Sequence, residues 1–162
     1  MIFIGLDPGS DGGIAIIDGD GKVLELDRLS GMTDAEIFRV LKTTGTLHGR
    51  SRAMLERVSA SPQMGVTSAF TFGGEYRALR MALTAAEIPF DEVAPFKWQR
   101  GLGCVSGGDK RVTKNRASQL FPGVLVTNAI ADALLIAEFC RRWEKGLKPL
   151  RDETVDTSEL GF

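Results

Sequence analysis

The chain has 162 residues, 43 % of them hydrophobic and 25 % charged, with a net charge of −1. That is enough chain for one domain with a proper core, and a slightly acidic balance argues against indiscriminate nucleic-acid binding. There is no apolar run long enough to cross a bilayer, and Met1-Ile-Phe-Ile lacks a basic leader, so neither a membrane span nor a signal peptide is expected. Cys104 and Cys140 have no metal-ligand spacing and read as reduced thiols of a cytoplasmic protein.

The apolar run from Met1 to Leu6 is closed by Pro8-Gly9, and a second begins at Ile14, which predicts two strands joined by a glycine-rich turn. Asp7 ends the first strand. A carboxylate beside a buried strand is costly unless paired, hydrogen-bonded or bound to a metal, although aspartate is also a common turn former. A calcium loop is a poor reading, because Pro8 stiffens the segment, Asp18 stands where Glu is needed, and Ile14 to Ile17 is β-rich. A sugar-kinase-like or actin-like phosphate hairpin requires two large domains, for which the chain is too short. A nuclease carboxylate on the first strand of a ribonuclease H-like sheet requires further carboxylates downstream.

Gly19-Asp20-Gly21 is a turn and Lys22 to Asp27 alternates weakly, so Met1 to Arg28 is expected to form a three-stranded meander. Thr33 and Glu36 make a capping box for a short helix with Ile37, Val40 and Leu41 on its stripe, stopping at Gly45. His48 falls in the polar loop that follows and is expected to be solvated. Ser51 to Val58 is the next strand, and it carries Glu56 near its end; a parallel pairing with the first strand sets Glu56 beside Asp7. After the break at Ser61-Pro62, near-helical spacing predicts one long helix from about Met64 to Glu87, bent or closely packed at Gly73-Gly74. Ile88 to Ala94 is a fifth strand ended by Pro95, and Phe96 and Trp98 beyond it read as core or as base-stacking aromatics.

Asp109 is placed to cap a helix from Lys110 to Phe121, stopped by Pro122-Gly123. The last helix is expected from about Asn128 to Lys145, with Asp132, Leu135, Ile136, Phe139, Cys140 and Trp143 on its sheet-facing stripe. An aspartate on a core stripe demands a partner, and a metal shared with Asp7 and Glu56 would be one. Charge is uneven. Lys97, Arg100, Lys110, Arg111, Lys114 and Arg116 form one basic segment, and Arg141, Arg142, Lys145, Lys148 and Arg151 a second. Either a solvated face or a face that tracks phosphates fits them. Residues 151–162 form an acid-rich C-terminal tail to a domain spanning 1–150.

Asp7-Pro-Gly with Gly12-Gly13-Ile-Ala, a strand bearing Glu56, and Ala131-Asp132-Ala-Leu-Leu-Ile-Ala137 together resemble the RuvC-type Holliday junction resolvases, a branch of the ribonuclease H-like superfamily. Pro62-Gln-Met-Gly65, Ser68 to Gly73, Pro95-Phe-Lys-Trp98 and Lys110 to Pro122 look like the phage-borne members, so the likeness covers roughly residues 1–145. The resemblance implies an α/β fold with a five-stranded mixed sheet, three antiparallel strands followed by parallel ones, flanked by helices. It also implies a homodimer that cuts opposed strands of a four-way DNA junction in a bacterial cytoplasm.

Carried over by position, Asp7, Glu56 and Asp132 match the catalytic carboxylates that hold two Mg2+ or Mn2+ ions. The family offers an Asp or His three or four residues before the last carboxylate, whereas Ala129 and Asn128 stand there. Asn128 can ligate through its amide oxygen but brings no charge, which implies a weakened second metal or an inactive copy. Lys110 or Lys114 would neutralise the phosphate at the point of attack, and Lys97, Arg100, Lys110, Arg111, Lys114 and Arg116 would hold the DNA. A nuclease of the same fold acting on another branched or hybrid substrate, and a non-cleaving junction binder, remain as rivals. The long helix, with Val66, Phe70, Gly73 and Met81, is the expected dimer face.

Overall fold

In the computed structural model, which describes residues 1–59 and 63–150, the chain forms a five-stranded sheet in the order β3-β2-β1-β4-β5. Strands β1 (Ile2–Asp7), β2 (Gly13–Ile17) and β3 (Val23–Arg28) make the expected antiparallel meander, while β4 (Ser51–Glu56) and β5 (Phe90–Val93) add in parallel. The Ser61-Pro62 break and the acid-rich tail lie outside the described residues.

β1 is buried along its whole length because it is the central strand and is covered on both faces. Its alternation divides the core. Ile2, Ile4 and Leu6 face α1 (Asp34–His48) and α2 (Val66–Ala85), whereas Phe3 faces the layer of α3 (Pro95–Leu102), α4 (Lys110–Leu120) and α5 (Asn128–Glu144). Gly5 shares the face of Phe3. A Cβ there would stand 2.1 Å from the Ala133 carbonyl oxygen and 2.3 Å from the Ala137 nitrogen, so glycine is what lets α5 lie directly on β1.

Several boundaries differ from the sequence expectation for local reasons. α1 carries its capping box at Thr33 but runs through Gly45 to His48, so the histidine is in the last helical turn rather than a loop. It ends at Gly49, whose φ of 71° only glycine adopts readily, whereas Gly45 is an ordinary helical residue. α2 has open space around Gly73 and Gly74, so they are not sites of close packing. Its buried residues, Leu79, Ala82 and Leu83, all lie in the second half, and Val66 and Phe70 stand out into solvent.

α3 was not anticipated, since Pro95 reads as a strand stop. Proline is also favoured at the first helical position, where its missing N–H costs nothing, and that role prevails. α5 is buried from Ala129 to Cys140 on every side, because α3 and α4 cover the face that the sheet leaves open. Trp143, expected on the core stripe, is 54 % exposed and stacks on Phe139 near the end of the helix.

Candidate active site

Period-two alternation sets the direction of the strand carboxylates. Asp7 follows Phe3 and Gly5 on the α5 face of β1, and Glu56 follows Met54, which belongs to the same core layer, on β4. The parallel register pairs Leu6 with Leu55, so the next residues, Asp7 and Glu56, leave the sheet side by side. Their carboxyl groups are near enough to act on each other, a contact that favours the proton on Asp7 and the charge on Glu56. Asp132 approaches from the first turns of α5, 5 % exposed.

Burial and the neighbouring acids raise the cost of ionising Asp7 and Glu56. Asp7 is held well above the usual carboxylate range, first by burial and then by the charges of Glu56 and Asp132. Burial also raises Glu56, against the hydrogen bond it accepts from the Trp98 indole, which acts in the opposite direction. Lys110, the first residue of α4, places its ammonium on Asp132 Oδ2, and Asp132 Oδ1 is buried without a hydrogen-bond partner. Burial opposes the lysine's charge, but its bond to Asp132 and the charges of all three acids leave its affinity for a proton raised.

Two cavities open onto this group. One, of about 560 Å³, runs between the β1–β2 turn and the first half of α2, and has Asp7, Glu56, Lys110, Thr67, Ser68, Thr71 and Glu75 on its walls. The other, of about 410 Å³, lies against α3 and brings in Asp132 with Pro95, Phe96 and Gln99. Among the described residues no three His, Cys, Asp or Glu side chains are drawn together closely enough to hold an ion, and Lys110 is the cation beside Asp132. The donor set nevertheless suits a hard divalent cation: carboxylate oxygens that repel one another, with one buried oxygen left unpaired.

Solved structures with this architecture include Thermus thermophilus RuvC, with a TM-score of 0.66, 21 % identity, and coverage of 93 % of this chain and 100 % of that one. T. thermophilus RuvC in complex with Holliday junction substrate gives a TM-score of 0.65 and 19 % identity over 93 % and 99 % of the two chains. The chain has the RuvC fold. No family model and no curated protein matches the sequence.

On this RuvC fold the other residues singled out in the sequence are dispersed. Asn128 is exposed on the first turn of α5, and neither it nor Lys114, one turn beyond Lys110 on α4, lines either cavity. Arg116 is buried, contrary to a DNA-facing role. Its Nε donates to the Leu102 carbonyl at 2.8 Å and its Nη1 to Gln119, joining α4 to α3. Lys97 is exposed with its ammonium 4.2 Å from the centre of the Trp143 ring, Arg100 is exposed beside it, and Arg111 is bonded to both oxygens of Asp109.

In the second basic segment Arg141 and Arg142 are half-buried, whereas Lys145 and Lys148 are exposed. Arg141 and Arg142 pair with the buried Glu138, and Arg141 and Lys145 donate to the Gly19 carbonyl, tying α5 to the β2–β3 turn. Two features of the site escaped sequence reasoning. The Trp98 indole donates to Glu56 Oε1 at 2.8 Å, and Gln99 Oε1 accepts from the Ser106 N–H at 3.2 Å in the loop that leads to Lys110. Reading Pro95 as a helix start would have disclosed the helix that carries both side chains, but not their partners.

No helix among the described residues is long and apolar enough to cross a membrane.

Proposed function

We propose that the protein is a metal-dependent endonuclease that resolves four-way DNA junctions by paired phosphodiester hydrolysis. The observation that carries this reading is the group of three acids Asp7, Glu56 and Asp132 on a RuvC fold, with the Lys110 ammonium beside Asp132 and an open cleft in front. Asp7, Glu56 and Asp132 would hold the cation. A divalent ion there would stabilise the attacking and leaving oxygens of an in-line displacement at phosphorus.

The chain's own residues do the remaining work. Asp7 and Glu56, whose protons are held above the usual carboxylate range, would give them up to water when a bound cation supplied the counter-charge. Lys110, 60 % exposed along its side chain, can exchange Asp132 for a phosphate oxygen and so meet the negative charge that develops there. Thr67, Ser68 and Thr71 line the cleft with hydroxyl donors suited to hold a sugar–phosphate strand in register. Lys97, Arg100 and Arg111 are exposed and suited to flanking phosphates.

Two cut strands related by a two-fold axis call for two such sites, hence a dimer. The exposed Val66, Phe70 and Met81 on α2 support that helix as the contact.

One observation favours a non-cleaving junction binder as the second reading: Asn128 is exposed, carries no charge and stands away from both cavities, which leaves three acids where the family supplies four ligands. A nicking assay with Mg2+ or Mn2+ on a synthetic four-way junction, a linear duplex and an RNA–DNA hybrid separates the readings. Symmetric cuts confined to the junction support resolution. Tight junction binding with no product at any metal concentration would establish the binder instead, and preferential cutting of the hybrid would reassign the substrate.

A further inference from the structure

Trp98 has no solvent exposure and lies in the core layer with Phe3, Val93, Leu102 and Cys104, yet its indole N–H donates to a carboxylate at the edge of the catalytic cleft. A core position of this kind needs only apolar volume, which phenylalanine or leucine supplies without a polar atom to satisfy. The bond to Glu56 spans 42 residues of sequence, so it results from folding and not from local geometry. We propose that Trp98 is a positioning residue, whose buried indole fixes the orientation of the Glu56 carboxylate so that its remaining lone pairs face Asp7 and the metal. This rests on the nuclease reading only in taking Glu56 as a ligand.

The mounting of α3 supports it. The helix is held at its far end by the Arg116 bond to the Leu102 carbonyl and by the Leu150 N–H donating to the Gly101 carbonyl, and on its flank by the Gln99 bond to Ser106. A side chain fixed by both its packing and its helix can aim a carboxylate that would otherwise rotate in a half-open cleft. Asp132 is held differently, by a lysine that is free to leave. A neutral donor also has an electrostatic advantage here: it favours the ionised carboxylate without adding a positive charge that would repel a divalent ion.

The chain has two tryptophans, Trp98 and Trp143, so a 15N spectrum of the intact protein shows two indole resonances, and Trp98→Phe assigns them by removing one. Titration with Mg2+ should shift the Trp98 indole resonance with the same midpoint as metal binding and leave Trp143 in place. Mn2+ affinity, read by water-proton relaxation, should fall about tenfold in Trp98→Phe, and this loss should largely vanish in a Glu56→Gln background. An equal loss in both backgrounds would show core damage and overturn the proposal. So would an indole that does not respond while Mg2+ binds, a result that needs only the wild-type chain. Failure of the wild type to bind any divalent ion would instead bring down the nuclease reading, and the role of Trp98 with it.

Discussion

Asp7 is an acid kept at an energetic disadvantage by its neighbours: burial, Glu56 and Asp132 all oppose its ionisation, and only Lys110 favours it. Replacing it with asparagine removes the charge and keeps the shape. Asp7→Asn should therefore stabilise the metal-free protein by about 1–2 kcal/mol, raising its melting temperature by a few degrees, while abolishing nicking and preserving junction binding. Thermal melts in chelator, with binding and cleavage measured side by side, check this; a destabilised variant would mean that Asp7 is held by attraction and not against repulsion.

The same residues set a pH dependence. Folded Asp7 and Glu56 hold protons more tightly than the usual values of 3.8 and 4.5, so their contribution to stability is complete below those values and is lost as pH rises through the raised ones. Metal-free protein should accordingly lose denaturant resistance as pH rises above the ordinary carboxylate values, and saturating Mg2+ should restore it. Lys110 runs no risk in that range, because its own proton is held above the ordinary lysine value of 10.5.

The pairing of β1 with α5 matters most at the scale of elements, since it carries Asp7 and Asp132 toward one another. Gly5 is where the helix touches the strand, and an added methyl would meet Ala133 and Ala137 backbone atoms well inside van der Waals contact. Gly5→Ala should cost about 3 kcal/mol in urea unfolding, and it should weaken divalent-ion binding because α5 must lift away with Asp132 on it. Gly45→Ala is the control. Its nearest neighbour would be Ile88 at 3.9 Å, and it lies inside α1, so helix propensity alone should make it stabilising by about 1 kcal/mol.

At the scale of the whole molecule, α2 packs only its second half on the sheet and exposes Val66, Phe70 and Met81. An exposed apolar face of this kind is expected to find a partner, and a second copy of the chain would place two clefts symmetrically across it. Phe70→Asp should move the protein from dimer to monomer in sedimentation velocity and uncouple the two cuts of a junction, with each site nicking independently. A wild-type protein that sediments only as monomer, with and without junction DNA, would refute the dimer.

Local chemistry was enough to write most of the frame from the sequence. The meander, the Thr33 capping box, the Asp109 cap and the strand ends at Asp7 and Glu56 all follow from alternation, turn residues and helix caps, which act over a few neighbours. Asp132 was legible for the same reason, as an acid on an apolar helix.

Tertiary packing alone decided which charged groups remain available. Arg116, Arg141 and Arg142 look like Lys97 and Arg100 in sequence, but the fold commits the first to the buried Leu102 carbonyl and the other two to Glu138. It likewise selected Lys110 over Lys114 to meet Asp132, and brought an indole to Glu56 from 42 residues away. Such contacts join positions distant in sequence, and burial makes each of them costly to leave unsatisfied, so they are settled only when the layers close on one another.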